Sequence, residues 1–260
     1  MFGPVRLTFL EGDGILVDGF GYPAVMHMIT YNFPYYEDLL LNAGLEKELD
    51  FYSYHTTREK LQLPEWVHDI AAQVQENSGL RIQRFANLDE LLQHLPHLLL
   101  ALQRSLAQNE DFSSSSQATQ ALAIEQTLQK GVNPVYIRGI IHNDQVVGAI
   151  FAFPNLTETF QALHGEFDQT TILQAIPLAP DGVLNGFGIV PEFEFQGLDA
   201  LIYIEMEKLA HDLGIDNINI IQISEQTSRM KNDMISLGIE INQTHRRYSK
   251  KFSDSEEFDT

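Results

Sequence analysis

The chain has 260 residues, a formal net charge of −20 and no cysteine. Its 36 acidic residues against 16 basic ones repel nucleic acids and anionic lipids, so we expect neither of these as a partner. Without cysteine the chain has no disulfide and no thiolate chemistry. No run of 18 apolar residues and no signal-peptide pattern is found. The sequence therefore predicts a soluble, cytoplasmic protein that binds no membrane.

The first 60 residues mix strand and helix patterns. Alternation between turn residues predicts strands at 14–19, 25–31 and 51–54. Pro34 suits the first turn of a helix, which Gly44 would end with left-handed backbone. A linker follows, with a helix predicted at 64–76.

The rest of the chain repeats this mixture over a longer stretch. Strands are predicted at 80–85, 136–142, 145–153, 184–190, 217–223 and 246–252. Helices are predicted at 87–106 with an interruption at Pro96, and at 118–129, 198–213 and 228–236. Asn143 and Asp144 form a turn pair that joins two of the strands into a hairpin. A four-serine run at 113–116 is interpreted as a loop and helix cap. The layout is α/β, a mixed sheet with flanking helices.

Residues 187–201 carry the most informative pattern. A strand ends at Pro191, and Gly197 opens a helix after a short turn. The free N–H groups of a helix start carry partial positive charge and bind phosphates. Glycine lets such a ligand approach the backbone closely. The pattern predicts a candidate pyrophosphate site, although a strand, a turn and a helix with one glycine are common together.

Val190-Pro191-Glu192 and the turn at 194–199 resemble the GNAT superfamily of acyl-CoA N-acyltransferases. Residues 228–239 resemble the helix and Leu-Gly turn near the end of that fold. Residues 31–54, with Tyr-Asn-Phe-Pro-Tyr-Tyr and Asp-Phe-Tyr-Ser-Tyr, resemble a bacterial group of larger GNAT proteins. The resemblance implies the GNAT fold, acetyl-CoA or another acyl-CoA as co-substrate, and a small-molecule amine as acceptor.

The resemblance also implies a division of the chain. Residues 1–60 would be a partial GNAT-like unit, 61–79 a linker with a helix, 80–252 the GNAT-like acyltransferase domain and 253–260 an acidic tail. Residues 32–44 and 227–238 would be equivalent positions in the two units. The alternative is two unrelated strand-helix-strand units. A half-domain leaves a sheet edge uncovered, which must pack on the second unit or on another subunit in a homodimer.

The same resemblance assigns site residues. Strand backbone would pair with the pantetheine amides at Gly188, Ile189 and Val190. Backbone N–H groups would hold the pyrophosphate at Gln196, Gly197, Leu198 and Asp199. Glu192 is the candidate general base, with a purely structural role in the turn as the alternative. No metal is expected.

Three residues depart from the pattern that the resemblance implies. Glu194 stands where Arg or Gln is usual, Asp199 stands at a small-residue position, and Met234 stands where a tyrosine often protonates the CoA thiolate. A carboxylate about 5 Å from a phosphate charge costs on the order of 3 kcal/mol at an effective dielectric near 20. These departures support an alternative function, a catalytically silent GNAT relative that binds a small ligand or a partner.

The only basic cluster near the end of the chain is at 245–247. It either contacts the adenosine phosphate of CoA or lies on a solvated edge strand.

Overall fold

A computed structural model of the chain describes residues 1–5, 11–23, 25, 28–77, 79–106, 133–164, 166 and 168–251. The predicted four-serine loop, the helix at 118–129 and the acidic tail lie outside these residues.

The described residues form a mixed α/β structure. Its strands are β1 (Phe2–Gly3), β2 (Ile15–Asp18), β3 (Glu46–Thr57), β4 (Leu80–Arg84), β5 (Ile137–His142), β6 (Gln145–Pro154), β7 (Asp181–Ile189), β8 (Asn217–Ser224) and β9 (Glu240–Ser249). Its helices are α1 (Tyr35–Asn42), α2 (Glu65–Asn77), α3 (Leu88–Leu106), α4 (Thr157–Ala162), α5 (Gln169–Ala175), α6 (Leu198–Asp212) and α7 (Ser228–Ser236).

All nine strands in the described part of the chain belong to one sheet. Its order is β1-β9-β3-β8-β7-β6-β5-β4, and β2 pairs with β9 beside β1. Neighbouring strands run antiparallel except for β7 and β8, which are parallel. Strand β3, from residues 1–60 (the first block), lies between β8 and β9 of residues 80–252 (the second block). The first block therefore packs into the sheet of the second block, whereas the proposed division at residue 60 stays a prediction.

The register between β3 and β9 is symmetric. Phe51 pairs with His245 at the centre, and the pairs on either side run outward in matching order. Each strand carries one extra residue, Glu48 in β3 and Asn242 in β9. Glu48 and Asn242 are separated by the same number of residues as Gly44 and Gly238. These two glycines have left-handed backbone and follow α1 and α7. Two equivalent helix-strand units placed about a two-fold axis would give this register.

The outer edge of β2 is blocked by a side chain. The Asn32 amide accepts a hydrogen bond from Leu16 N at 2.7 Å and donates one to Leu16 O at 3.0 Å. Both backbone groups that an additional strand would use at this residue are therefore satisfied.

Two apolar clusters cover the two faces of the sheet. One contains buried residues of α2, α6 and α7. The other contains five buried leucines of α3 together with Val25, Met28 and Ile29. The sheet thus lies between helical layers, as the sequence predicts.

Two sequence predictions are wrong. The described residues of the predicted strand at 25–31 form no strand, because Val25, Met28 and Ile29 turn their side chains into the α3 cluster. Pro96 does not interrupt α3, which is helical on both sides of it. The loss of one backbone hydrogen bond at proline is offset there by the burial of leucines along the helix, among them Leu95 and Leu98.

Candidate functional site

The parallel strands β7 and β8 separate beyond their first halves. Their pairing runs from Asp181 with Asn217 to Leu184 with Ile220 and then stops. Beyond that point β7 stays paired with β6, up to Ile189, and β8 stays paired with β3, up to Ser224. The result is a cleft between two strands, each of which is fixed by its outer neighbour.

Helix α6 begins beside this cleft. Val190 is extended, and one turn of 3-10 helix at Pro191–Phe193 leads towards the helix. Gly197 has a φ of 82°, and no side chain caps the helix. A Cβ atom on Gly197 would lie 2.7 Å from Cγ2 of Ile70 in α2. Left-handed backbone and close packing of α2 therefore both require glycine at this position.

Arg229 compensates one of the two unexpected carboxylates. It is in the first turn of α7 and forms an ion pair with Asp199 in the first turn of α6. Its guanidinium group lies 4.7 Å from the centre of the Phe195 ring. Glu194 makes no side-chain hydrogen bond or ion pair with any described residue. One uncompensated carboxylate therefore remains near the start of α6, where the sequence predicts two.

The candidate base Glu192 is paired with a cation. Its carboxylate accepts a hydrogen bond from Arg104, near the end of α3. Both side chains are substantially exposed. Arg104 binds only one of the two carboxylate oxygens, Oε1, so the other can still accept a proton from a substrate.

Gly188 in β7 packs closely against α3. A Cβ atom there would lie 2.0 Å from Oγ of Ser105, so α3 lies directly against this part of β7. This contact accounts for the glycine independently of any pantetheine, whose contact with Gly188, Ile189 and Val190 stays a prediction.

Met234 is fully buried in the cluster between α6, α7 and the sheet. One residue earlier, Asp233 accepts a hydrogen bond of 2.7 Å from the Tyr203 hydroxyl group of α6. Burial and the nearby Asp233 both raise the pKa of Tyr203. The proton of Tyr203 is therefore held between α6 and α7, and this tyrosine does not replace the missing acid.

The basic cluster at 245–247 does not lie on a solvated edge strand. Strand β9 pairs with β3 on one side and with β1 and β2 on the other. His245 and Arg247 are buried, and Arg246 binds Asp50. The interpretation as a solvated edge strand is therefore wrong. A contact with the adenosine phosphate of CoA also requires accessible side chains, and nothing supports it.

A contact that the sequence did not indicate joins the first block to the cleft strand β8. The Gln222 side chain donates to Asp13 O at 2.9 Å and accepts from Asp13 N at 2.5 Å. Gln222 itself has a φ of 58°, just beyond the last residue pair of β7 and β8. The contacts of Arg104 and Arg229 were likewise not predicted. The only signal for Arg229 is its place in the turn of helix that follows β8.

Within the described residues, no group of three or more His, Asp and Glu side chains could hold a metal ion. None of the described helices is long and apolar enough to cross a membrane.

Comparison with known proteins identifies the fold. No family model and no curated protein sequence matches the chain. A GCN5-related N-acetyltransferase from Sphaerobacter thermophilus aligns over 85% of the chain with a TM-score of 0.50 and 14% identity. The GCN5-related glucosamine N-acetyltransferase region of a fungal multi-domain GH3 beta-N-acetylglucosaminidase aligns over 82% with a TM-score of 0.54 and 9% identity. The chain spans 59% of the first structure and 22% of the second.

The chain therefore has the fold of the GCN5-related N-acetyltransferases. The predicted α/β fold class and the GNAT resemblance are confirmed at the level of the fold.

Proposed function

We propose that the chain is an acyl-CoA-dependent N-acyltransferase that transfers an acyl group to an amine. The separation of β7 and β8 beyond Leu184 and Ile220, next to the uncapped start of α6, is the observation that carries this proposal. A cleft between two strands exposes backbone groups along its walls, and these suit the amides of a linear pantetheine chain. The N–H groups at the helix start suit the diphosphate.

Two parts of the cofactor have an assigned set of residues. The pantetheine amides pair with backbone at 188–190, and the diphosphate binds the backbone at 196–199. Acetyl-CoA is the first co-substrate to test.

The proposed reaction is direct attack of the amine on the thioester carbonyl carbon. A C–N bond forms, the carbonyl oxygen becomes an oxyanion that a backbone N–H stabilises, and the C–S bond then breaks to release the CoA thiolate. Glu192 accepts the amine proton through its second carboxylate oxygen, directly or through water. Since Met234 offers no proton, the thiolate takes its proton from solvent.

The uncompensated Glu194 weakens binding of CoA in this proposal. A carboxylate about 5 Å from one phosphate charge costs on the order of 3 kcal/mol at an effective dielectric near 20. Because Glu194 is partly exposed, we discount this to about 1 kcal/mol, which is roughly fivefold in affinity.

Calorimetric titration of the whole chain with CoA tests the site. Glu194→Gln should tighten binding about fivefold. Glu240→Gln is the matched control and should leave the affinity unchanged. Glu240 is exposed, and it pairs with His55 at the end of β3 that lies away from the cleft. The absence of binding at about 1 mM CoA would refute the proposal. Equal affinities for all three proteins would refute the charge argument alone.

A catalytically silent, ligand-binding GNAT relative is the second candidate. Complete burial of Met234 and the pairing of Glu192 with Arg104 favour it. Thiol release from acetyl-CoA, measured with a panel of primary amines, separates the two functions. Tight CoA binding without thiol release above the protein-free rate would favour the silent protein. Release that Glu192→Gln abolishes would favour the enzyme.

A further inference from the structure

Helix α1 and the residues before it present an aromatic surface to solvent. Tyr31, Phe33, Tyr35, Tyr36 and Leu39 are exposed to 51, 63, 54, 41 and 57%. The Phe33 and Tyr35 rings stack with centres 5.9 Å apart, and the Tyr35 and Tyr36 rings are 5.0 Å apart. We name these five side chains the α1 patch. Helix α1 has no buried residue.

Helix α7 is the equivalent of α1 in the second half of the chain. It contacts α6 through the face that is exposed to solvent in α1. In α7, Arg229 binds Asp199 and Asp233 binds Tyr203, and both contacts are with α6. By the symmetric register of β3 and β9, Arg229 corresponds to Tyr35 and Asp233 to Leu39. The face of α1 that corresponds to the α6 contact is thus apolar, and no element among the described residues covers it.

The polar side of α1 makes hydrogen bonds to the sheet. Glu37 accepts hydrogen bonds from Arg246 at 3.1 Å and from the Tyr248 hydroxyl group at 2.6 Å, both in β9. These contacts fix α1 to the sheet with the α1 patch outward. A strand of another chain cannot pair with the neighbouring edge of β2 at Leu16, because Asn32 already bonds the backbone N–H and C=O groups of Leu16.

We propose that the α1 patch is the centre of a symmetric interface between two copies of this chain. The exposed fractions correspond to about 500 Å² of mainly apolar surface, given roughly 150–250 Å² for a whole aromatic side chain. This is at the upper end of what monomers expose, about 300–600 Å². An interface is about 60% apolar, so 500 Å² implies about 800 Å² on each partner, the size of a standard stable interface.

The charge distribution favours a second copy over a charged partner. None of the five patch side chains carries a charge. Of the two carboxylates in the first turn of α1, Glu37 is bonded to the sheet and Asp38 is exposed beside the α1 patch. A two-fold axis through the α1 patch therefore places aromatic rings against aromatic rings at its centre, with Asp38 at the rim. Two copies each carry a net charge of −20 and repel one another at long range, so salt should strengthen the dimer by screening. This interface does not depend on CoA binding or catalysis.

Sedimentation equilibrium of the whole chain tests the proposal. At about 0.5 M salt, where the Debye length is only about 4 Å, we expect a dimer of twice the chain mass of 29.5 kDa. Leu39→Arg should weaken dimerisation at least about 100-fold, because it places a charge at the centre of an apolar interface. Ile235→Arg is the matched control, since Ile235 is a 70% exposed apolar residue of α7 outside the α1 patch, and it should leave the dimer intact.

Three outcomes would overturn the proposal. The first is a wild-type chain that stays monomeric up to about 100 μM, well above the dissociation constant of a standard interface. The second is a dimer that survives both Leu39→Arg and Tyr35→Ser. The third is a dimer that dissociates as salt increases, since this would indicate electrostatic attraction. Far-ultraviolet circular dichroism of each variant verifies that the fold is retained, and Tyr35→Ser gives a second, uncharged variant if Leu39→Arg does not fold.

Discussion

Replacement of Asp50 with asparagine should destabilise the protein through the contact between β3 and β9. The Asp50 carboxylate is only 6% exposed. It accepts hydrogen bonds from Arg246 Nε at 2.7 Å, Arg246 Nη2 at 3.0 Å and Lys47 Nζ at 2.8 Å. Asparagine keeps one acceptor but directs an amide N–H₂ group at a cation.

The expected loss is about 2 kcal/mol. Breaking a buried ion pair costs about 3–5 kcal/mol. This figure must be lowered because the Arg246 side chain is 27% exposed and the Lys47 side chain 42%. Each cation also keeps a second carboxylate, Glu37 for Arg246 and Glu225 for Lys47.

Urea denaturation at neutral pH measures this loss. The matched control is Asp144→Asn, which removes the same charge from an exposed pair with Arg81, where the side chains are 96 and 55% exposed. The control should change the free energy of unfolding by less than about 0.5 kcal/mol. Equal losses for the two variants would refute the claim that burial makes the Asp50 pair important.

The pH dependence adds an independent check. Burial alone would raise the pKa of Asp50, but the hydrogen bonds from Arg246 and Lys47 outweigh it and lower the pKa below its ordinary value. A carboxyl group with a lowered pKa stabilises the folded state above its unfolded pKa, near 3.9. The difference between wild type and Asp50→Asn should therefore be constant at neutral pH and shrink as the pH falls below about 4.

Three further predictions concern His245, Gly197 and Arg229. Burial lowers the pKa of His245 despite its hydrogen bond to Thr30. As the pH falls from 7.5 to 5.5, His245 then takes up a proton more readily in the unfolded chain than in the folded one, which should lower the free energy of unfolding by up to about 1.4 kcal/mol. Urea denaturation of His245→Gln should lack this contribution. Equal pH slopes would contradict it. Gly197→Ala should cost more than about 2 kcal/mol, from left-handed strain and the clash with α2. Gly238→Ala, with a φ of 69° and open space around it, should cost only the strain, about 1–2 kcal/mol by thermal unfolding. Arg229→Gln should weaken CoA binding about tenfold by exposing the charge of Asp199, and adding Asp199→Asn should restore it in calorimetry. Failure of this restoration would show that Arg229 contacts the ligand itself.

Features set by neighbouring residues were predictable from the sequence. Asn143 and Asp144 have φ values of 47° and 61°, because a two-residue hairpin turn needs left-handed backbone at both positions. Gly44 and Gly238 are left-handed after their helices for a similar local reason. The start of α6 after Gly197 was predictable from the same chemistry.

Features set by distant contacts were not predictable. The place of β3 between β8 and β9 depends on partners far along the chain, and alternation within β3 carries no information about which strand lies beside it. The strand predicted at 25–31 was wrong because the same apolar residues can fill a core without pairing. The pairs of Arg229 with Asp199 and of Arg104 with Glu192 join separate helices and turns, which no sequence spacing reveals.

The place of β3 in the sheet also affects how the chain folds during synthesis. Strand β3 ends at Thr57, whereas its partners β8 and β9 begin at Asn217 and Glu240. At the usual rate of about 5–20 residues per second, the ribosome releases β3 on the order of ten seconds before β8 exists. During this interval Phe51, Tyr52 and Tyr54 have no strand to pair with. The nascent first block therefore exposes the apolar side chains of β3 until β8 and β9 are made, and completion of the sheet is a late, high-contact-order step.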